Sequence, residues 1–143
     1  MADVHDKATR SYNMSRIKSR DSKPELIVRK YLFSQGFRYR VNVASLPGKP
    51  DIVLKKYKTV IFVNGCFWHG HKNCKYFSFP KTKIDYWNNK ITLTIKRDKK
   101  KKYELGKLDY KVIVIWECEL KNKTQKKLKK VISLIKMNEI KNV

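Results

Sequence analysis

The cysteines and histidines of the stretch Gly65-Cys66-Phe67-Trp68-His69-Gly70-His71-Lys72-Asn73-Cys74, with Cys118 far along the chain, carry the clearest chemical signal in the sequence. Cys66, His71, Cys74 and Cys118 offer three thiolates and an imidazole, the donor set that structural zinc prefers in a closed tetrahedral shell. The set uses every cysteine of the chain. Thiols in a cytosolic protein point to metal or burial before disulfides. A closed site leaves His69 without a metal role, and an imidazole that titrates near neutral pH could take the proton from an attacking water. Spacing equally allows the exchange, with His69 as the ligand and His71 free.

Pro50-Asp51 opens a hairpin whose first acid would stand beside the neighbouring strand. A carboxylate there can hold a hard cation such as Mg²⁺ through oxygen, with a main-chain carbonyl as a further ligand. Alone the pair is a weak signal, because proline and aspartate are ordinary turn residues. Phe67 and Trp68 have two readings of equal weight. Large aromatics in a loop pack into a core, or, in a DNA-binding protein, they wedge between base steps and unstack them.

The elements that would position these residues follow from periodicity and punctuation. Ser22-Lys23-Pro24-Glu25 reads as a helix start, with Ser22 as N-cap, Pro24 in the first turn and Glu25 completing a capping box. Val28 with Leu32 and Ile27 with Tyr31 recur at helical spacing, and the helix should run to about Gln35 before Gly36. Strands are predicted at about 39–43, 51–54 and 59–63, as an antiparallel set. The loop 64–80 is long enough to be functional. Ile84, Trp87, Ile91 and Ile95 predict a helix ending before Gly106, although 91–95 also alternates like a strand. Lys111 to Trp116 reads as a central strand covered on both faces. Leu128, Val131, Ile132 and Ile135 mark one apolar stripe of a last helix. Helix, three strands, helix, strand and helix make an α/β fold with a mixed sheet.

The chain has 143 residues, with 35 Lys+Arg against 12 Asp+Glu and a formal net charge of +23. An excess of that size attracts a polyanion, and nucleic acid is the first candidate. The lysines are spread along the chain with no strongly apolar helix face beside them, which argues against a membrane surface. No apolar run approaches the ~20 residues that span a bilayer, and residues 1–10 lack the apolar core of a secretory signal. A cytoplasmic monomer is the default expectation. Residues 1–20, rich in Lys and Arg, read as an arm that orders on DNA, and 21–143 as a single domain. Lysines 99–102 read as a solvated or phosphate-facing helix surface.

Several strings in order resemble the very short patch repair (Vsr) endonuclease family. They are Met1-Ala2-Asp3-Val4-His5-Asp6-Lys7-Ala8-Thr9-Arg10-Ser11, Asn13-Met14, Arg20-Asp21, Glu25, Ala44-Ser45-Leu46-Pro47-Gly48-Lys49-Pro50-Asp51, Val60-Ile61-Phe62, Gly65-Cys66-Phe67-Trp68-His69 and Trp116-Glu117-Cys118. The resemblance implies a restriction-endonuclease-like fold with an αβββαβ core. It also implies nicking of duplex DNA beside a T·G mismatch left by deamination of 5-methylcytosine. It further implies catalytic Mg²⁺ held by Asp51 and the main-chain carbonyl of Val63, His69 as general base, and Glu25 as a helix carboxylate near the site. Zinc would lie at Cys66, His71, Cys74 and Cys118, and Met14, Phe67 and Trp68 would insert into the base stack. Members of the family carry Thr-His where this chain has Val63-Asn64, so help from those side chains is absent, whereas a carbonyl survives any substitution. Two rivals remain at this stage: a restriction-type nuclease of the same fold, and a non-catalytic, zinc-stabilised DNA-binding module in which Asp51 only turns the chain.

Overall fold

The computed structural model describes residues 22–75, 77–78, 81–121 and 124–137. The expected N-terminal arm, including Met14, lies outside them. The described elements are α1 (Lys23–Ser34), β1 (Arg40–Val41), β2 (Ile52–Leu54), β3 (Thr59–Asn64), α2 (Ile84–Lys107), β4 (Lys111–Trp116) and α3 (Thr124–Met137). The strands form one sheet in the order β1-β2-β3-β4, so Lys111–Trp116, expected as a central strand covered on both faces, instead stands at the end of the described sheet and is only partly buried. β1 to β3 pair antiparallel, and β4 runs parallel to β3 with Val63 opposite Ile115 and Asn64 opposite Trp116. The parallel step follows from α2, since a parallel neighbour needs a crossover connection.

α1 forms because Val28 and Leu32, one turn apart, are both fully buried, while Ile27 and Tyr31 flank the same core. Its end is closed by backbone geometry. Gly36 takes a φ of +87°, the N–H of Phe37 reaches the carbonyl of Leu32 at 3.0 Å, and that of Gly36 reaches Phe33 at 3.0 Å. This is a Schellman closure, and the buried Phe37 supplies its apolar contact in the core shared with Leu32. The capping box expected at the other end is not formed. Ser22 makes no side-chain cap, and its hydroxyl instead donates to Glu25 Oε1 at 3.2 Å. Glu25 is 4 % exposed and bonded to the Arg29 guanidinium at 3.1 Å, so its carboxylate is turned into the protein rather than spent on the helix start.

The two faces of the sheet carry separate cores. Ile52, Leu54, Ile61, Ile113 and Ile115 pack with α1 and with Leu128, Val131, Ile132 and Ile135 of α3. Val53 and Val60, on the other face, pack with Leu105 of α2. This alternation is the period-two consequence of the pleat. β1 is shorter than the expected 39–43, being interrupted at Asn42, whose φ of +50° leaves the extended region. α2 carries through Gly106 to Lys107 instead of ending before it. Its helical register over 91–95 prevails over the strand-like alternation: Ile91 is buried whereas Leu93, two residues on and on the same face in a strand, is 50 % exposed, as only the 3.6-residue repeat allows. No described helix is long and apolar enough to cross a membrane.

Candidate active site

Asp51 stands at the start of β2, where its Oδ2 accepts the main-chain N–H of Val63 at 2.7 Å. In an extended strand the N–H and carbonyl of one residue leave on the same side, so the Val63 carbonyl is also directed toward β2. The Glu25 carboxylate approaches from α1. Burial first, and the charge of Glu25 next, raise Asp51 to about 6, against the Val63 N–H, the Arg29 guanidinium and the His69 ring, which favour its ionised form. Two carboxylates therefore repel each other, with Glu25 itself paired to Arg29, in a chain with net charge +23. A bound divalent cation would relieve that repulsion through oxygen ligands, which makes Asp51, the Val63 carbonyl and Glu25 a fitting neighbourhood for Mg²⁺.

His69 lies outside the cysteine cluster. Its Nδ1 is 2.7 Å from Oδ2 of Asp98, a residue of α2 that the sequence analysis did not single out. Gly70 makes that contact available. At a φ of +58° it brings the loop down on α2 so closely that a Cβ would lie 2.8 Å from Cγ2 of Ile91 and 2.9 Å from Cδ1 of Ile95. A carboxylate on Nδ1 fixes the ring and leaves Nε2 as the nitrogen able to accept a proton. A cavity of about 280 Å³ lies beside the pair, lined by Asn64, Lys72, Lys99 and Lys102 among others. Lysines around a cleft that holds an acid–imidazole pair suit an anionic substrate.

The four expected zinc donors are gathered in one place. Ligand atoms of Cys66, His71, Cys74 and Cys118 lie within 4.8 Å of one another. A zinc tetrahedron with bonds of about 2.3 Å has edges of roughly 3.8 Å, so coordination requires only a slight contraction. The main-chain N–H of Cys118 points to Sγ of Cys66 at 3.4 Å, and the His71 ring stacks on Trp116 at 3.9 Å and 6°. Burial, together with the neighbouring thiols, pushes the Cys66 thiol up to about 12, and burial raises Cys118 as well. Metal would have to displace those protons, and the clustered donors could hold a zinc ion.

Phe67 and Trp68 belong to neither core. They form a half-buried group with Trp87 of α2, with ring centroids 5.2 Å apart for Phe67–Trp68, 5.3 Å for Phe67–Trp87 and 5.8 Å for Trp68–Trp87. The Lys90 ammonium lies 5.4 Å from the Trp68 ring centre. Trp87 was visible in the sequence only as part of the helical stripe of α2. The loop that joins the Cys66, His71 and Cys74 donors thus sets His69 against Asp98 and the aromatic pair against Trp87, both on α2.

The family model described as DNA mismatch endonuclease Vsr matches residues 2–75. A type II nicking enzyme of Neisseria meningitidis, V.NmeAIP, is 51 % identical over 95 % of this chain and 98 % of its own length. The DNA mismatch endonuclease Vsr of Escherichia coli is 46 % identical over 86 % of this chain and 78 % of its own. A type II nicking enzyme of Xanthomonas oryzae, V.XorIIP, is 42 % identical over 84 % and 88 %, respectively.

Proposed function

The chain belongs to the Vsr family of DNA endonucleases, and from that premise we propose that it nicks one strand of duplex DNA beside a T·G mismatch by Mg²⁺-dependent hydrolysis. The observation that carries the chemistry is the His69–Asp98 pair at the end of the sheet, beside the carboxylate of Asp51. Asp51 and the Val63 carbonyl would hold Mg²⁺, and Glu25 would add negative charge from α1. The ion, when bound, supplies Lewis-acid stabilisation of the phosphate's developing charge. His69 takes the proton of the attacking water on Nε2. Asp98 orients the ring and stabilises the imidazolium that results. Lys72, Lys99 and Lys102 draw the DNA backbone toward the cleft. Cys66, His71, Cys74 and Cys118 would hold zinc that keeps the loop in place and takes no part in the reaction.

Replacing His69 by Ala should slow the chemical step by roughly 10²- to 10⁴-fold in single-turnover assays, the usual contribution of a general base. Zinc content should be unchanged. Loss of zinc with retained cleavage would exchange the roles of His69 and His71.

Mismatch preference is supported by the aromatic group. Inserting side chains between base steps costs a few kcal/mol of unstacking, least where pairing is already defective. Phe67→Ala and Trp68→Ala should weaken binding to a T·G duplex about tenfold more than to the matched duplex. Equal losses on both duplexes, with fold and zinc intact, would assign these rings to packing. The relatives named as nicking enzymes favour a second possibility, nicking in a fixed sequence context irrespective of pairing. Cleavage of matched and T·G duplexes of one sequence, with and without Mg²⁺, decides between them. A matched duplex cut as fast as the mismatched one would establish the second.

A further inference from the structure

Of the lysine run 99–102, Lys99, Lys100 and Lys102 are exposed, and Lys101 is turned inward. Its side chain is 33 % exposed, against 78 % for Lys100. The stem of Lys101 crosses the loop that leads into Asp51. A Cβ built on Gly48 would lie 2.5 Å from its Cδ and 2.6 Å from its Cγ, and Gly48 has a φ of +75°. Only glycine gives both the left-handed turn and the room for the stem. The ammonium at the far end reaches Oδ1 of Asp98 at 3.8 Å, while Oδ2 of the same carboxylate engages His69.

We infer that Lys101 is a positioning residue: its stem locks the 46–50 loop onto α2, and its ammonium holds the Asp98 carboxylate in the orientation that presents Oδ2 to His69. The two halves of the site come from different parts of the chain. Asp51 ends a turn between two short strands, and His69 sits in a loop fastened to α2. Lys101 touches the supports of both, Gly48 in the loop before Asp51 and Asp98 beside His69. A lysine bound to DNA phosphate would instead extend into solvent, as its exposed neighbours in the run do, and would contribute to affinity uniformly through counterion release.

This inference rests on His69 acting as the base, and the experiment is built to separate the two. Lys101→Met keeps an aliphatic stem over Gly48 and removes the charge, whereas Lys101→Arg keeps a cation. With the full-length protein and a short T·G duplex at saturation, Lys101→Met should lower the single-turnover rate about fivefold, the upper range for a partly exposed ion pair. Affinity and its salt dependence should stay within about twofold of the parent. Lys101→Arg should recover most of the rate. In an Asp98→Asn background, Lys101→Met should have no further effect, since the group it acts through is already neutral. A weaker duplex affinity with an unchanged rate at saturation would make Lys101 a phosphate contact and overturn the inference. So would a full fivefold loss added to that of Asp98→Asn. An Asp98→Asn variant that cleaves at the parental rate would overturn the reading of His69 itself, and this inference with it.

Discussion

Asp51→Asn should lower strand cleavage about 10³-fold or more and, at the same time, make the Mg²⁺-free protein more stable at neutral pH. The first effect follows from the loss of the carboxylate proposed to hold the ion, whose electrostatic contribution is several kcal/mol at about 1.4 kcal/mol per factor of ten. The second follows from burial. Asp51 is raised from 3.8 to about 6 because it is desolvated beside Glu25. The native state therefore binds this proton more tightly than the unfolded chain does, so stability rises as pH falls through about 6 and the gain is complete below about 4. At neutral pH the ionised group costs roughly 2 kcal/mol, allowing for its partial contact with solvent. Asparagine removes that cost and can still accept the Val63 N–H. Thermal melts in Mg²⁺-free buffer should show the variant ahead of the parent at pH 7.5, with the gap closing toward pH 4. A variant that melts lower at neutral pH, or that retains cleavage, would make Asp51 a structural turn residue.

The same tension explains what could and could not be read from the sequence. Helices α1 and α3 were legible because each buries a stripe at helical spacing, and β2, β3 and β4 as strands because of their short apolar runs, but the apolar run of β4 did not reveal that it stands at the end of the described sheet rather than at its centre. The four zinc-type donors were legible because thiols are scarce and their composition is distinctive. Which histidine belongs with them was not legible, since His69 and His71 are separated by one residue. The choice is made by Gly70, which seats the loop on Ile91 and Ile95, and by Asp98, which lies 29 residues from its partner. Asp98 nevertheless left a signal. The inward stripe of α2 runs through Trp87, Ile91, Ile95 and Leu105, and it passes through Asp98 and Lys101. Charged residues at the core-facing positions of a helix demand partners, but the surrounding lysines made the segment look like a solvated surface. Glu25 misled in the opposite way. A capping box accounts for its sequence context, yet the structure spends its carboxylate on Arg29 and places its charge within range of Asp51.

The second large effect is expected from Cys118→Ala, which should remove zinc, lower the melting temperature more than any substitution of Asp51, Glu25 or His69, and abolish cleavage. Cys66, His71 and Cys74 all belong to one loop, whereas Cys118 follows β4, so among the four donors it is the one that would join that loop through a metal to the end of β4. Without it, three donors remain on a single loop, and the free energy of coordination no longer holds the two elements together. Structural zinc binding is coupled to folding with apparent free energies of roughly 10–16 kcal/mol in small zinc domains, so loss of even part of it outweighs a single surface contact. The damage should nevertheless be local. The core formed by α1, α3 and the inner strand residues contains none of the four donors, so far-ultraviolet circular dichroism should retain the helical signal at low temperature. The released loop would draw His69 away from Asp98 and scatter Phe67 and Trp68, giving a cleavage loss at least as large as that of His69→Ala, together with loss of any mismatch preference. Cys118→His, which restores a two-thiolate, two-imidazole donor set, should recover zinc and part of the activity. Metal analysis of protein purified without chelators should find one zinc per chain, and adding Mg²⁺ should not displace it. Absence of zinc from such protein, or a Cys118→Ala variant that melts and cleaves like the parent, would reduce these four residues to buried thiols that happen to lie beside a histidine.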